Sequence, residues 1–219
     1  MTPLRDFLPY VLPHAYGCPE PVAEMAIRDA CIEFCGRSLL IQTVDTQSTT
    51  AGVAEYDVPA PAQQSLCQVM RVTLGASELK RTALDDVRHG AAMRAGLDTV
   101  VESQSGTPQM YYQTTPTAET VCLWPVPSTT GSNALAIRAA FAPTRTATSV
   151  DDALYDDWAN EIASGALARL LAMPAQVFTN PKYAQAHEAR FAGAIAAAST
   201  QARRGRLTGA SRVAYRAFP

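Results

Sequence analysis

Few residues of this 219-residue chain have the types and spacing that do chemistry. Cys31 and Cys35 stand one helical turn apart, the spacing of half a metal site. A closed site needs a second ligand pair at a matching spacing, and the remaining cysteines, Cys18, Cys67 and Cys122, are isolated. The two thiols are therefore read as small apolar groups on a core face, with no metal. The three histidines occupy unlike settings: His14 in a proline-rich loop, His89 beside Gly90 at an expected helix end, and His187 on the stripe of the last helix. A histidine at a helix C-terminus is a dipole partner, and one on an apolar stripe is a hydrogen-bonded core residue. No nucleophile or orienting acid lies at a recognisable spacing from any of them. The acids come in adjacent pairs, Asp85 with Asp86, Asp151 with Asp152 and Asp156 with Asp157. Neighbours in sequence point to different faces, so these are not acid–base dyads; capping and solubility explain them, and a shared acidic surface is the sharper alternative. Phosphate-cradling loops, dinucleotide glycine fingerprints, HExxH, paired CxxC and GxSxG are all absent. The sequence thus assigns no catalytic, cofactor-binding or metal-binding residue, and the chain is read as not an enzyme.

A different chemistry is concentrated at the C-terminal end. Arg203, Arg204, Arg206, Arg212 and Arg216 are interleaved with Leu207, Val213, Tyr215 and Phe218, and no acid lies among residues 203–219. Those five arginines leave 13 of the chain's 18 bases against all 20 acids in residues 1–202, a net of −7 hidden inside a total of −2. The body is acidic and the tail basic. Arginine and aromatic side chains dominate interface hot spots, whereas solvated tails lack large apolar groups. The tail therefore reads as an anchor for another protein, with a disordered basic end as the alternative. Nucleic-acid binding through it would be opposed by the acidic body.

The elements that must carry these groups are helical at both ends of the chain. Residues 151–174 place Leu154, Trp158, Ile162, Ala166 and Leu170 at i, i+4 steps, with Asp151, Asp152, Asp156 and Asp157 at the positive end of the helix dipole and Pro174 as the stop. A second helix opens with Asn180 as cap and Pro181 at its first position, and repeats Tyr183, His187, Phe191 and Ile195. About nine residues join the two, which predicts antiparallel packing. Pro21 to Ser38 is a third amphipathic helix with Phe34 on its apolar face, preceded by a short helical turn and a packed loop. Phe34, Leu154, Trp158, Ile162, Leu170, Phe191 and Ile195 are the expected core of this body.

Between these helices the period changes. Residues 42–52 (QTVDTQSTTAG) read as a polar connection, and residues 53–58 and 66–74 read as strands. A short helix is expected near Thr82, a hairpin from residues 109–114 and 120–124, and a last strand from 134–142, where the alanines leave helix as an alternative. The expectation is an α+β fold: a three-to-four-helix antiparallel body from residues 1–45 and 143–204, a β-rich insertion over 46–142, and an extended tail over 205–219. At 47% apolar residues the chain can build a real core, no run is long enough to span a membrane, and the isolated cysteines predict reduced thiols and an unsecreted, soluble protein.

With that order of elements, three stretches resemble the head-to-tail adaptor (connector, head-completion) proteins of tailed bacteriophages: AIRDACIEFCGRS at 26–38, the turn-flanked GTPQMYYQT and ETVCLWPVP within 106–127, and DDWANEIASGALARLLAMPAQVFTNPKYAQAHEARFAGAI at 156–195. The likeness covers about residues 20–204 and rests on structural signatures, namely the acid-plus-Trp start, the GALARLL core and the NPxxAxxxxxxF helix. It implies a virion protein at the head-tail junction, assembled in the bacterial cytoplasm. Such a protein forms a homo-oligomeric ring, commonly of twelve copies, binds under the portal protein, extends the channel for double-stranded DNA without sequence-specific contacts, and offers a platform to tail or nozzle proteins. It also implies that the tail, through Arg203, Arg204, Arg206, Leu207, Arg212, Tyr215, Arg216 and Phe218, clasps the portal. Asp151, Asp152, Asp156 and Asp157 become candidates for an acidic channel or ring surface. The nearest rival is a tail-terminator or other tail ring protein, which would be dominated by strands; a small enzyme or a nucleic-acid-binding module fits less well.

Overall fold

The computed structural model describes residues 1–87, 104–115 and 117–205. It is an α+β fold richer in strands than the sequence pattern predicts. A 3-10 turn over Leu4–Phe7 runs into α1 (Leu8–Val11), and α2 spans Glu20–Ser38 with Pro21 in its first turn. Leu39 ends α2 in the left-handed region at φ 54°, donating its N–H to the Cys35 carbonyl. The chain then enters β2 (Gln42–Thr49); β1 is the short N-terminal strand Thr2–Pro3.

This β2 corrects the expectation of a polar connection over residues 42–52. Its side chains alternate between an inner row, Asp45, Gln47 and Thr49, and an exposed row that includes Val44, Thr46 and Ser48. A strand with one neighbour and one wet face needs little apolar sequence, so the apolar signal was absent although the β-branched content was high. Next come β3 (Glu55–Asp57), β4 (Gln64–Leu74), β5 (Ser77–Glu78) and β6 (Lys80–Arg81), then β7 (Ser105–Gly106), β8 (Met110–Tyr112), β9 (Thr120–Trp124), β10 (Val126–Pro127), β11 (Gly131–Pro143) and β12 (Ser149–Val150). Strand β3 is shorter than the predicted run over 53–58. Around Thr82 the structure has strand β6 and only a helical turn at 84–87; the remainder of that predicted helix, with His89, lies outside the described residues.

The long strand β11 is the centre of the fold and resolves its helix–strand ambiguity in favour of strand. It pairs antiparallel with β2 on one side and β4 on the other, in the order β2-β11-β4-β5. A second sheet has the order β3-β9-β8-β6; its β8–β9 hairpin pairs Tyr111 with Leu123, as predicted, and β6 joins it in parallel. Val72, Tyr111, Leu123, Leu135, Ile137 and Phe141 are buried in one cluster between the sheets. The next residue along β11, Ala142, belongs instead to the helical cluster, so the helical layer and the sheets share a strand rather than meeting at a linker.

The C-terminal pair is α3 (Asp152–Leu171) and α4 (Pro181–Arg204). Asp151 caps α3, its carboxylate accepting from the Ala153 N–H at 3.0 Å, and Asn180 caps α4 by accepting from the Tyr183 N–H at 3.3 Å. Helix α3 ends at Leu171, before Pro174, because the turn closes early: Met173 donates to Leu170, and the Leu171 carbonyl accepts from Asn180. The contacts Glu161–Arg190 and Gly165–Phe191, with Leu171–Asn180 at the turn, show that the helices run antiparallel. Phe34, Leu154, Ile162, Leu170, Phe191 and Ile195 are all buried. Trp158 is not: it sits half-buried at the rim with its ring 5.3 Å from Phe34, at a kink where its φ of −135° departs from helix. The stripe of α4 is also rotated from the predicted one. Ala184, Phe191, Ala194, Ile195 and Ala198 face the core, while Tyr183 is 61% exposed and His187 half-buried. Alanines let α4 approach closely, so the smallest residues take the inner face and the larger Tyr183 is left outside. No helix among the described residues is long and apolar enough to cross a membrane.

Candidate interaction surfaces

The thiols singled out by spacing are sealed in the core. Cys31 and Cys35 are both buried on α2; burial pushes Cys31 up to about 12, with Arg169 pulling weakly the other way, and holds Cys35 well above its ordinary value. A thiol held neutral in an apolar interior is a poor ligand and a poor nucleophile. Among the described residues no group of three or more His, Cys, Asp or Glu side chains gathers as a metal would require.

The four aspartates do different jobs. Asp151 is a helix cap. Asp152 holds the N-terminal ammonium of Met1 at 2.7 Å and accepts from the Thr2 hydroxyl at 2.7 Å, bonds that lower its pKa. With the β1–β12 pairing of Thr2 to Val150, they lash the N-terminus to the start of α3. Asp156 and Asp157 lie exposed on the following turn. At the same end of the helix pair, Arg203 and Arg204 are exposed in the last turn of α4; Arg206, Leu207, Arg212, Tyr215, Arg216 and Phe218 lie outside the described residues.

The opposite end carries a surface that sequence spacing did not reveal. His14, on the loop after α1, and His187, on α4, bring their rings to 6.4 Å across a cleft of about 410 Å³ lined also by Phe178, Thr179 and Asn180. His187 is held below its ordinary pKa by burial, then by His14 and Arg190. Two of the residues lining this cleft are large apolar side chains in water, Val177 at 89% exposed and Tyr183 at 61%, and Tyr16, two residues after His14, is 85% exposed. Exposed large apolar side chains are the kind of surface at which proteins commonly meet. The one sequence signal of this cleft was Tyr183, misplaced on the buried stripe; the His14–His187 pairing spans too much sequence for a motif to record.

A third feature is a cavity of about 770 Å³ against the second sheet, lined by Lys80, Arg81, Asp86, Met110 and Tyr111 among others. Its described lining presents cations and aromatics together.

Between these ends, Arg169 braces the helical layer. Its guanidinium pairs with Glu33 of α2, donates to the Gly165 carbonyl at 2.7 Å and lies 5.7 Å from the centre of the Phe191 ring, while Glu33 also accepts from Arg37 at 2.7 Å. All these features concern how the chain is held and what it touches, and none is a reaction centre. The family model for SU10 adaptor protein matches residues 13–214, spanning every long helix and both large sheets. The chain belongs to this family of phage head-to-tail adaptors. No curated protein matches the chain. The family is structural rather than enzymatic. Membership in an adaptor family implies interaction with other phage head and tail proteins.

Proposed function

We propose that this adaptor assembles as a ring, of twelve copies by family likeness, beneath the portal protein at the head-tail junction of the virion. There it extends the channel for double-stranded DNA without reading its sequence and gives tail or nozzle proteins a platform. The observation that carries this reading is the family match over residues 13–214. In it, the helices of residues 1–45 and 143–204 form the body, residues 46–142 the insertion, and residues 205–219 the arm that clasps the portal. The basic, aromatic composition of that arm supports the last role. The exposed Tyr16, Val177 and Tyr183 supply apolar area for a lateral or tail contact. The turn bearing Asp156 and Asp157 is the candidate channel wall, where negative charge repels DNA and lets it slide. Strand content alone would also suit a tail-terminator; the family match favours the adaptor.

Electron microscopy of the purified chain with and without its portal tests the reading. Rings of defined copy number seated on the portal are expected. Deleting residues 205–219 is expected to abolish co-sedimentation with portal rings, and retained sedimentation removes the arm from the account.

A further inference from the structure

Helix α3 is broken at Trp158, whose φ of −135° and ψ of 15° stand outside helix while the residues on both sides are helical. Helix kinks come from Pro, from Gly and Ser, or from a group that enters the hydrogen-bond ladder. Residues 152–161 (DALYDDWANE) contain no Pro, Gly or Ser, and their Ala, Leu and Glu are strong helix formers. Packing therefore imposes the break, and the two sides of it are held by different parts of the molecule. Before it, Asp152 accepts from the Thr2 hydroxyl at 2.7 Å, β12 pairs with β1, and the Tyr155 ring meets Phe7 edge-on at 5.1 Å and Tyr10 at 6.2 Å. After it, Glu161 pairs with Arg190, Gly165 lies against Phe191 and Arg169 pairs with Glu33. Residues 1–11 clasp the start of α3, while α2 and α4 hold its remainder.

A donor is left over at the joint. The Trp158 indole Nε1 is buried with no acceptor among the described residues, although the ring as a whole is only half-buried. A buried indole N–H ordinarily finds a partner, and one without a partner disfavours the arrangement that buries it. At the rim, beside Phe34, a modest turn of the residue brings that N–H to water. Little apolar area resists the movement on the clasped side, where Leu154 is the only buried residue of Asp152–Asp157.

We propose that Trp158 is a hinge about which residues 1–11 and 149–157 move as one body against the rest of the helical layer. One end of the movement is the broken α3 of this structure; the other is a continuous α3 whose indole N–H reaches water. The clasp favours the broken state, whereas helix propensity and the unpaired indole favour the continuous one. The hinge stands without the adaptor reading. What rests on that reading is its use: the turn bearing Asp156 and Asp157 travels with the clasp, so the candidate channel wall is a movable one.

Hydrogen exchange read by mass spectrometry tests this on three proteins: the full chain, its Trp158→Phe variant, which lacks the unpaired donor, and its Tyr155→Ala variant, which loosens the clasp. In the parent, amides of residues 4–12 and 155–158 are expected to share one level of protection, at least about tenfold below that of Ile162–Leu171. Trp158→Phe should slow exchange in both segments at least about fivefold, and Tyr155→Ala should speed it in both, with Ile162–Leu171 unchanged as the sign of an intact layer. Where Tyr155→Ala disturbs Ile162–Leu171, the Trp158→Phe arm decides. A merely frayed helix end changes residues 155–158 without residues 4–12, and that outcome overturns the proposal, as does a parent α3 protected evenly through Trp158 or a Trp158→Phe protein that exchanges like the parent. Portal co-sedimentation on the same preparations separates the two readings. Coupled exchange without portal binding leaves the hinge and removes the adaptor; portal binding with uncoupled exchange does the reverse.

Discussion

Gly165 of α3 lies so close to Phe191 of α4 that a Cβ built on the glycine falls 2.6 Å from the ring. The contact is where the two C-terminal helices cross, and it is part of a stack in which the Phe191 ring also meets Phe34 at 6.1 Å and the Arg169 guanidinium at 5.7 Å. A glycine inside a helix costs roughly 1 kcal/mol relative to alanine, so its presence here is set by the crossing distance.

Gly165→Ala should therefore lose more by overpacking, about 1–3 kcal/mol or somewhat above, than it gains in helix propensity. Gly193, on the exposed face of α4, is the contrast, since a Cβ added there would meet nothing within 4 Å: Gly193→Ala should stabilise by roughly 0.5–1 kcal/mol. Urea denaturation of both variants beside the parent reads the two signs. A Gly165→Ala protein at least as stable as the parent would show that the helices separate freely at this point.

Arg169→Ala should cost roughly 1–3 kcal/mol, because it removes a charge-assisted bond to Glu33, the bond to the Gly165 carbonyl and the contact with the Phe191 ring together. Glu33→Gln, which keeps a hydrogen-bond acceptor, should cost less. A double-mutant cycle in urea isolates the pair, and a coupling near zero would assign the whole effect to packing.

At Gln63 the backbone sits at φ 60°, and the side-chain Oε1 accepts from the Thr148 N–H at 2.7 Å and the Ser149 N–H at 3.2 Å. Gln63→Ala loses those bonds and keeps the strained backbone; Gln63→Gly loses the same bonds and relieves the strain. The alanine variant should be the less stable of the two by about 1 kcal/mol in thermal or urea melts. The reverse order would show that the strain at this position is negligible.

His187 makes stability depend on pH. Its folded pKa lies below the ordinary 6.5, so between that lowered value and 6.5 the unfolded chain binds more protons than the folded one. The contribution is present above about 6.5 and is lost as pH falls toward the folded pKa. His14 and Arg190 are the basic side chains that face it. The parent should lose more stability between pH 7.5 and 5 than His187→Gln, measured by urea midpoint; parallel losses would discount the cleft. The Asp152 contribution lies in a separate window, present above its ordinary 3.8 and lost as pH falls through its lowered value.

Local rules made the ends of the chain legible. Asn180 caps the helix it was expected to cap, Asp151 caps the helix whose first turns it was expected to load with charge, Pro181 opens α4, and the β8–β9 hairpin follows from its flanking turns, since each of these signals acts over a few residues. The misreadings have tertiary causes. Strand β2 is polar because β11 completes it, and Tyr183 sits on the predicted stripe but points outward because the Gly165–Phe191 crossing fixes the rotation of α4. Trp158, expected in the core, is held at the rim by the kink in its own helix. Of the candidate surfaces, the basic tail is written plainly in composition, whereas the cleft between His14 and His187 exists only once α1 and α4 are brought together.

The proposed channel wall makes a prediction whose salt dependence is built in. Asp156 and Asp157 occupy the exposed second turn of α3. On a channel wall their charges act on DNA phosphates through solvent, over a screening distance of about 8 Å at physiological salt. Replacing both with lysine turns weak repulsion into attraction at every copy in the ring. Particles carrying Asp156→Lys with Asp157→Lys should assemble normally by electron microscopy and eject their genome more slowly, with the delay shrinking as salt rises and screening shortens. A delay that does not change with salt would point to a distorted ring, and unchanged ejection at low salt would place this turn away from the DNA.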